Sequence, residues 1–318
     1  MSDNDGLMKL PTVAEVDAEI LRRQTSTGSG QGLALLVISL ALFVGAEQTF
    51  GGTTLTFIGL LALVLLLHEL GHLAAMRAFG FRDLRMFFIP FLGAAAAGKK
   101  PDATGTQRAI VALAGPISGI VLAFGFILAA ALGYLNLDAT MSEFVGLLLV
   151  INFFNLLPLI PFDGGRFINI VLFSRWPTAE KLFRIAAGAG MVWLAWQLES
   201  WILGIVGGFV VLGASFAAGL GRLGRVLRSR VPAPRPVSLL DTPPEFRAQL
   251  IEEMAPTIGL RMDNHAANVR RYAVVLTAAW DRAIDAPPGP LASAGLLLVY
   301  LGVIGSGVAL YLRAAVGS

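Results

Sequence analysis

Two histidines and a glutamate interrupt an otherwise apolar stretch of the chain, LALVLLLHELGHLAAMRAF at residues 61–79. In an α-helix, His68 and His72 share one face about a turn apart, so both imidazoles can reach a single metal ion. Glu69 points aside from that line, and the H-E-x-x-H spacing is typical of zinc sites in which this glutamate takes a proton from the attacking water. Gly71 leaves the metal-facing side of the helix uncrowded. The spacing therefore predicts a zinc site at His68 and His72, with Glu69 as the catalytic base.

The competing interpretation is that H-E-x-x-H arose by chance and that both histidines are packed core residues. The surroundings favour the metal site. The helix is long enough to cross a bilayer, where each ionisable group costs about 2.5 kcal/mol or more and is usually functional. The chain has three histidines, and two of them lie in this one turn.

The composition is that of a polytopic membrane protein. Hydrophobic residues make up 56% of the chain, charged residues 14%, and the mean hydropathy is +0.73. A soluble enzyme is therefore excluded. Without cysteine, zinc must be held by nitrogen and oxygen, and three histidines are too few for a membrane di-iron oxygenase. The formal charge of +3 is small, and the arginines of the chain flank the apolar runs. This pattern indicates that the basic residues set the orientation of the protein in the membrane and that nucleic acid is not a partner.

Seven apolar runs predict an all-α membrane protein with about seven transmembrane helices. The predicted spans are residues 32–45, 53–80, 107–134, 143–160, 180–198, 200–221 and 289–312. The loops rich in lysine and arginine all fall on one side, which we expect to be cytoplasmic and to hold the N-terminus. His72 then lies about 12 Å from the cytoplasmic end of its helix. We expect an integral protein of the plasma (inner) membrane of a prokaryote, with its active site nearer the cytoplasmic face.

The stretch from Arg82 to Gly98 is apolar but is broken by Pro90 and by small residues, so it is poor material for a crossing helix. Irregular backbone survives at membrane depth only beside protein or a water-filled cavity. We interpret it as a membrane-embedded β element, a re-entrant strand or hairpin beside the metal helix. The alternative is an interfacial loop without a role.

The second informative stretch is INFFNLLPLIPFDGGRF, at the end of the fourth predicted span. Pro158 and Pro161 cannot continue a regular helix, so Asp163 is presented from a broken end. Its carboxylate suits a two-histidine site that needs a third ligand and a position for water. The amide of Asn155 needs a hydrogen-bonding partner, which is either a neighbouring helix or an extended peptide. The GPISG sequence from Gly115 to Gly119 is explained by close packing of membrane helices alone, so Ser118 is given no chemistry.

HELGH on a membrane helix, followed by NLLPLIPFDGG, resembles the site-2 protease family of intramembrane zinc metalloproteases over residues 53–175. The resemblance implies that His68, His72 and Asp163 bind Zn²⁺ and that Glu69 is the catalytic base. It also implies that Asn155 holds the substrate backbone. Gly119 departs from the family, where a GPxxN pattern ends in asparagine, and neither a PDZ domain nor a CBS pair fits the remaining sequence.

With that resemblance, the chain divides into four predicted segments. Residues 1–30 form a cytoplasmic N-terminal segment with an amphipathic helix at 12–24, and residues 31–222 form the membrane metalloprotease domain. Residues 223–288 form a cytoplasmic helical segment with helices at 244–255 and 264–285, followed by a C-terminal transmembrane helix at 289–318. We expect His265 to be a solvated surface residue.

The predicted function is hydrolysis of peptide bonds inside the transmembrane segment of a single-pass membrane protein, with the lipid bilayer as the other partner. An unwound substrate could pair with the strand near residues 84–92. The alternative is a divalent-metal transporter, or an inactive metal-binding membrane scaffold. It accounts for the buried histidines and aspartate but does not require a glutamate directly after the first histidine.

Overall fold

The structure is a computed structural model that describes residues 10–25, 31–50, 54–90, 93–100, 102–231, 236, 238–258, 264–284 and 287–316. The described chain is mostly helical, with one short hairpin. Its helices are α1 Val13–Thr25, α2 Gln31–Phe50, α3 Leu55–Ala78, α4 Gly105–Ala131, α5 Ala139–Asn155, α6 Asp163–Ile168, α7 Pro177–Gln197, α8 Trp201–Arg228, α9 Pro244–Ile258, α10 His265–Ile284 and α11 Pro290–Val316. A π-helical turn, Asn169–Phe173, follows α6, and a 3₁₀ turn, Leu239–Asp241, precedes α9.

The described helices include four that are long and apolar enough to cross a membrane. They are Leu55–Ala78, Gly105–Ala131, Trp201–Arg228 and Pro290–Leu310, and two shorter apolar helices span Ala34–Thr49 and Ala139–Asn155. Each of the seven predicted runs lies mainly in a helix of the described chain, which confirms a polytopic helical membrane protein. The count of seven crossings is not confirmed by helix length and hydropathy.

The chain forms two compact units, which are described separately. One contains residues 1–28 and 216–286, and the other contains residues 29–215 and 287–318. His68, His72 and Asp163 all lie in the second unit.

The hairpin predicted between Arg82 and Gly98 is present. Strand β1, Arg82–Ile89, pairs antiparallel with β2, Gly93–Lys99, and Met86 lies opposite Ala96. The amide of Phe88 donates to Ser39 Oγ of α2 over 2.9 Å, and its ring packs on Phe43 with centroids 5.4 Å apart. This buried contact attaches β1 to α2.

Helices α3 and α4 approach each other closely because glycines lie between them. A Cβ at Gly71 would be 2.3 Å from Ser118 Oγ and 2.6 Å from the carbonyl oxygen of Ala114. Side chains larger than glycine would therefore push the two helices apart. This contact agrees with the packing role predicted for the GPISG sequence. The face of α4 that contains Gly115 also packs against His72.

The chain between α5 and α6 carries Asp163. Helix α5 ends at Asn155, ahead of the two prolines, and Asp163 begins the short α6. A Cβ at Gly164 would lie 2.1 Å from the carbonyl oxygen of Leu156, so this turn closes only around glycine. The predicted break in the helix is confirmed.

Helix α11 packs on this same segment. The hydroxyl of Tyr300 donates to the carbonyl oxygen of Leu156 over 2.6 Å, and its ring stacks on Phe167 at a centroid distance of 5.0 Å. Arg175 donates to Ser293 Oγ over 2.9 Å and to the carbonyl of Pro288. The last helix thus braces the chain on both sides of Asp163.

The other unit is a helical bundle of α1, α9, α10 and the end of α8. Its core includes Ile20, Met254, Tyr272 and Trp280, all at most 3% exposed. The predicted helices at 12–24, 244–255 and 264–285 are confirmed as α1, α9 and α10.

His265 lies on the surface of this bundle, as predicted, with 43% of its side chain exposed and its Nε2 atom 2.9 Å from Glu15 Oε1. Hydrogen bonds from the Thr12 backbone, from His265 and from the Thr12 side chain lower the pKa of Glu15 to about 2.

Candidate metal centre

Three side chains from two distant parts of the chain converge at one point. His68 Nε2 and His72 Nε2 are 3.0 Å and 3.1 Å from Asp163 Oδ2, and the two nitrogens are 3.1 Å apart. All three residues are buried. The structure thus brings together the residues expected to share a metal ion, although Asp163 lies more than 90 residues after the histidines.

The geometry of this triangle fits a zinc ion. Tetrahedral zinc with bonds of about 2.0–2.1 Å separates its ligand atoms by about 3.3 Å, slightly more than the observed spacing. A small outward movement of the three donors therefore accommodates the ion. Two imidazole nitrogens and one carboxylate oxygen are also a donor set typical of catalytic zinc, which keeps a further position open.

The outer nitrogen of each histidine also has a buried partner. His68 Nδ1 lies 2.8 Å from Asn152 Oδ1, and His72 Nδ1 lies 2.7 Å from the carbonyl oxygen of Val111. A carbonyl oxygen can only accept, so each Nδ1 carries the proton and each Nε2 presents its lone pair to the shared point.

Neither Asn152 nor Val111 was predicted as part of the site. The signal for Asn152 was present, because an amide in an apolar membrane helix needs a polar partner. The role of Val111 had no sequence signal, since any residue supplies a carbonyl.

Glu69 lies beside the triangle and is buried, with 5% of its surface exposed. Its carboxylate and the two histidine nitrogens lie within 4.8 Å of one another, so Glu69 is close enough to be an alternative third ligand. The tighter triangle with Asp163 is the better set of donors, because its atoms already have nearly the spacing of bound ligands. Glu69 and Ala96 of β2 line the same cavity.

A cavity of about 560 Å³ opens onto the three donors. Its walls include Glu69, Asn155, Phe162, Arg166 and residues 94–96 of β2. Asn155 is half-buried there, and its amide nitrogen donates to the carbonyl of Ile151 in its own helix over 3.0 Å. Asn155 therefore bonds within its own helix and not to a neighbouring helix, which was one of its two predicted partners. Its side chain lines the cavity next to His68, His72 and Asp163.

Two glycines of α4 lie directly against the site. A Cβ at Gly115 would be 2.3 Å from His72 Nε2, and a Cβ at Gly119 would be 2.1 Å from Asn152 Nδ2. These glycines allow α4 to approach His72 and Asn152 closely. The sequence predicted only helix packing for this stretch and no contact with the site.

Fold and site together define a class: a helical membrane protein in which two histidines of one apolar helix and an aspartate that follows a helix break meet at one buried point. Comparison with known proteins agrees. Residues 56–145 match the sequence model of Peptidase family M50. The stage IV sporulation protein FB of Bacillus subtilis is 31% identical over 146 residues, which cover 46% of this chain and 50% of that protein.

Further relatives have similar overlap. A protein of Synechocystis sp. is 30% identical over 185 residues, covering 55% of this chain and 48% of its own. A zinc metalloprotease of Methanocaldococcus jannaschii is 29% identical over 163 residues, covering 49% and 47%. The chain therefore spans about half the length of the curated relatives it matches.

Among solved structures, the site-2 protease from Methanocaldococcus jannaschii aligns with a TM-score of 0.40 and 21% identity, over 57% of this chain and 87% of that one. The family match and the curated relatives confirm the resemblance to the site-2 protease family that the two motifs predicted.

Proposed function

We propose that this protein is an intramembrane zinc metalloprotease that hydrolyses peptide bonds within the transmembrane segment of single-pass membrane proteins. The observation that carries the proposal is the buried triangle of His68, His72 and Asp163, with Glu69 beside it at the wall of a cavity. The family match and the zinc metalloprotease among the relatives support Zn²⁺ as the metal.

In this proposal, His68, His72 and Asp163 hold the metal, and Glu69 moves protons. Bound zinc would polarise the scissile carbonyl and acidify a water molecule. Glu69 would accept a proton from the attacking water and donate it to the leaving nitrogen as the C–N bond of the peptide breaks. Its burial keeps bulk water away from the carboxylate.

A helical substrate hides its carbonyls in backbone hydrogen bonds, so it must unwind before it can be cut. An extended segment can be held by hydrogen bonds to a strand edge. We assign this role mainly to β2, because residues 93–96 line the cavity. From the predicted strand near 84–92, Ile89 at the end of β1 also lines it, whereas Phe88 is attached to Ser39 of α2. Asn155, which also lines the cavity, supplies a further amide for the substrate backbone.

The membrane arrangement is part of the proposal. Crossing seven times requires α2, α5 and α7 to span the bilayer together with the four longer apolar helices. The side with the arginine-rich loops then faces the cytoplasm, with the N-terminus and the helical bundle on it. The membrane is the plasma membrane of a prokaryote.

The test is the Glu69→Gln variant of the whole chain in two assays. Its zinc content is measured after purification in detergent, and its proteolytic activity is measured by co-expression with tagged single-pass reporter proteins. We expect the variant to bind zinc at the wild-type stoichiometry and to lose reporter cleavage, because the amide cannot accept a proton. Glu143→Gln, at an exposed acid in the same unit, is the matched control and should cleave normally.

Cleavage that persists in Glu69→Gln would show that another group is the base. Metal flux into liposomes that His68→Ala abolishes, without any peptide product from wild-type protein, would favour a transporter instead. The absence of both flux and product across the reporter panel would favour a metal-binding scaffold.

A further inference from the structure

We propose that Asn152 is a positioning residue for the zinc ligand His68, and that Gly119 is required because it leaves the space for the Asn152 amide. This inference rests on the metal site of the proposed function. It does not depend on proteolysis or on the nature of the substrate.

The Asn152 amide has one orientation that satisfies both of its buried partners. Its Nδ2 atom donates to the carbonyl oxygen of Leu148 over 2.7 Å, so its Oδ1 atom is the one that faces His68 Nδ1 at 2.8 Å. Asn152 is fully buried, so no water competes for either contact. The reversed amide would set its oxygen against the Leu148 carbonyl and lose that hydrogen bond.

The orientation of Asn152 fixes the tautomer of His68. Because Asn152 Oδ1 accepts, His68 must be protonated at Nδ1, which leaves the Nε2 lone pair directed at His72 and Asp163. The same contact limits rotation of the ring. Such outer partners typically change metal affinity by about 10-fold to 100-fold when removed.

The position of the Asn152 amide accounts for glycine at residue 119, where the GPxxN pattern has asparagine. A Cβ at this position would lie 2.1 Å from Nδ2, 2.4 Å from Cγ and 2.6 Å from Oδ1 of Asn152. The amide thus occupies the place where a side chain at 119 would begin. Gly119 on α4 is therefore needed for the Asn152 amide on α5 to take this position.

The two zinc histidines differ in this respect. His72 is held by a backbone carbonyl, that of Val111, which substitution does not remove. His68 is held by a side chain, so its orientation can be changed by a single substitution. This difference makes the proposal testable without altering a metal ligand.

The experiment measures the zinc Kd of the purified full-length protein by competition with a chromophoric chelator, together with the visible spectrum of the Co²⁺-substituted protein. Asn152→Leu keeps the size of the side chain and removes the acceptor. We expect its zinc Kd to rise about 10-fold to 100-fold and its cobalt spectrum to change. Asn152→Asp keeps an oxygen acceptor for His68 and should retain most of the affinity.

Gly119→Ala tests the second half of the proposal. It should weaken zinc binding when Asn152 is present, because the methyl group displaces the amide. It should have no further effect in an Asn152→Ala background, where the space is free. Gly125→Ala is the matched control on the same helix, since a Cβ there meets nothing within 4 Å, and its zinc Kd should be unchanged.

An unchanged zinc Kd and cobalt spectrum in Asn152→Leu would overturn the proposal. An effect of Gly119→Ala that is equally large in both backgrounds would also overturn it, because the glycine would then act only through helix packing. If Asn152→Leu does not purify as a single species, the comparison of the two Gly119→Ala backgrounds decides. Loss of reporter cleavage plays no part in these readouts, so the proposed function can fail separately.

Discussion

Replacing Gly115 with alanine should remove zinc from the protein through a single added methyl group. The new Cβ would lie 2.3 Å from His72 Nε2, 2.6 Å from Cε1 and 2.7 Å from Cδ2. Ordinary van der Waals contact begins at 3.4 Å, so the ring and the helix must separate by at least 3.4 − 2.3 = 1.1 Å.

Either way of relieving this overlap damages the metal centre. If the His72 ring moves by about 1 Å, its nitrogen leaves bonding distance, because a zinc–nitrogen bond is about 2.0–2.1 Å long. If α4 moves instead, the Val111 carbonyl departs from His72 Nδ1, to which it is now 2.7 Å distant. Overpacking of this kind also destabilises a well-packed protein by about 1–3 kcal/mol.

The measurements are zinc content after purification, zinc Kd by chelator competition, and thermal unfolding in detergent. We expect Gly115→Ala to bind zinc at least about 100-fold more weakly, a larger loss than removal of a ligand's outer partner gives. Gly125→Ala, with open space around its Cβ, should match the wild-type protein. A zinc Kd for Gly115→Ala within twofold of wild type would refute the reasoning, since the contact with His72 could not then be real.

Two further predictions concern the supports of the site. Tyr300→Phe removes the hydrogen bond to the Leu156 carbonyl and should lower the free energy of unfolding by about 1 kcal/mol, seen as a lower melting temperature. Tyr134→Phe, at a residue that is 84% exposed, should not change it, and equal melting temperatures for both variants would contradict a bracing role for α11. Ser39→Ala leaves the buried Phe88 amide without its acceptor, at a cost of about 1–3 kcal/mol, and should speed hydrogen exchange of β1. The exposed Ser142→Ala is its control, and unchanged exchange in β1 would show that α2 does not hold the hairpin.

Helix α11 supports the segment that carries Asp163. Tyr300 and Arg175 hold the chain on both sides of α6, which carries Asp163. Asp163, the proposed metal ligand, is therefore supported by a helix more than 100 residues further along the chain. Truncation before α11 would remove part of the support for Asp163 and not merely a membrane anchor.

Much of the site could be predicted from local sequence because its chemistry is concentrated in two short motifs. His68, Glu69 and His72 have a spacing that only a helix makes useful, and Asp163 follows prolines that end α5. The hairpin was also predictable, since Pro90 and small residues cannot form a stable span. These inferences need only helix periodicity and the cost of polar groups in lipid.

The number of membrane crossings and the hydrogen-bond partners of the two histidines were harder to predict from the sequence. Helix length and hydropathy support four long spans, and the shorter apolar helices cannot be assigned from composition alone. Asn155 was singled out because its amide stands in an apolar run, yet Asn152 in the same run makes the contact with His68. Sequence could not choose between them, since helix rotation against α3 decides which amide faces the histidine.

By itself, the sequence determined that this is a membrane protein with two imidazoles, one neighbouring glutamate and one carboxylate at a helix break, because residue type and spacing fix those properties locally. Only the tertiary structure decided that Asp163 meets both histidines, that β2 lines the cavity, and that Gly115 and Gly119 lie against His72 and Asn152. Those facts depend on how closely separate helices approach and on their rotation about their own axes, which packing over the whole unit sets.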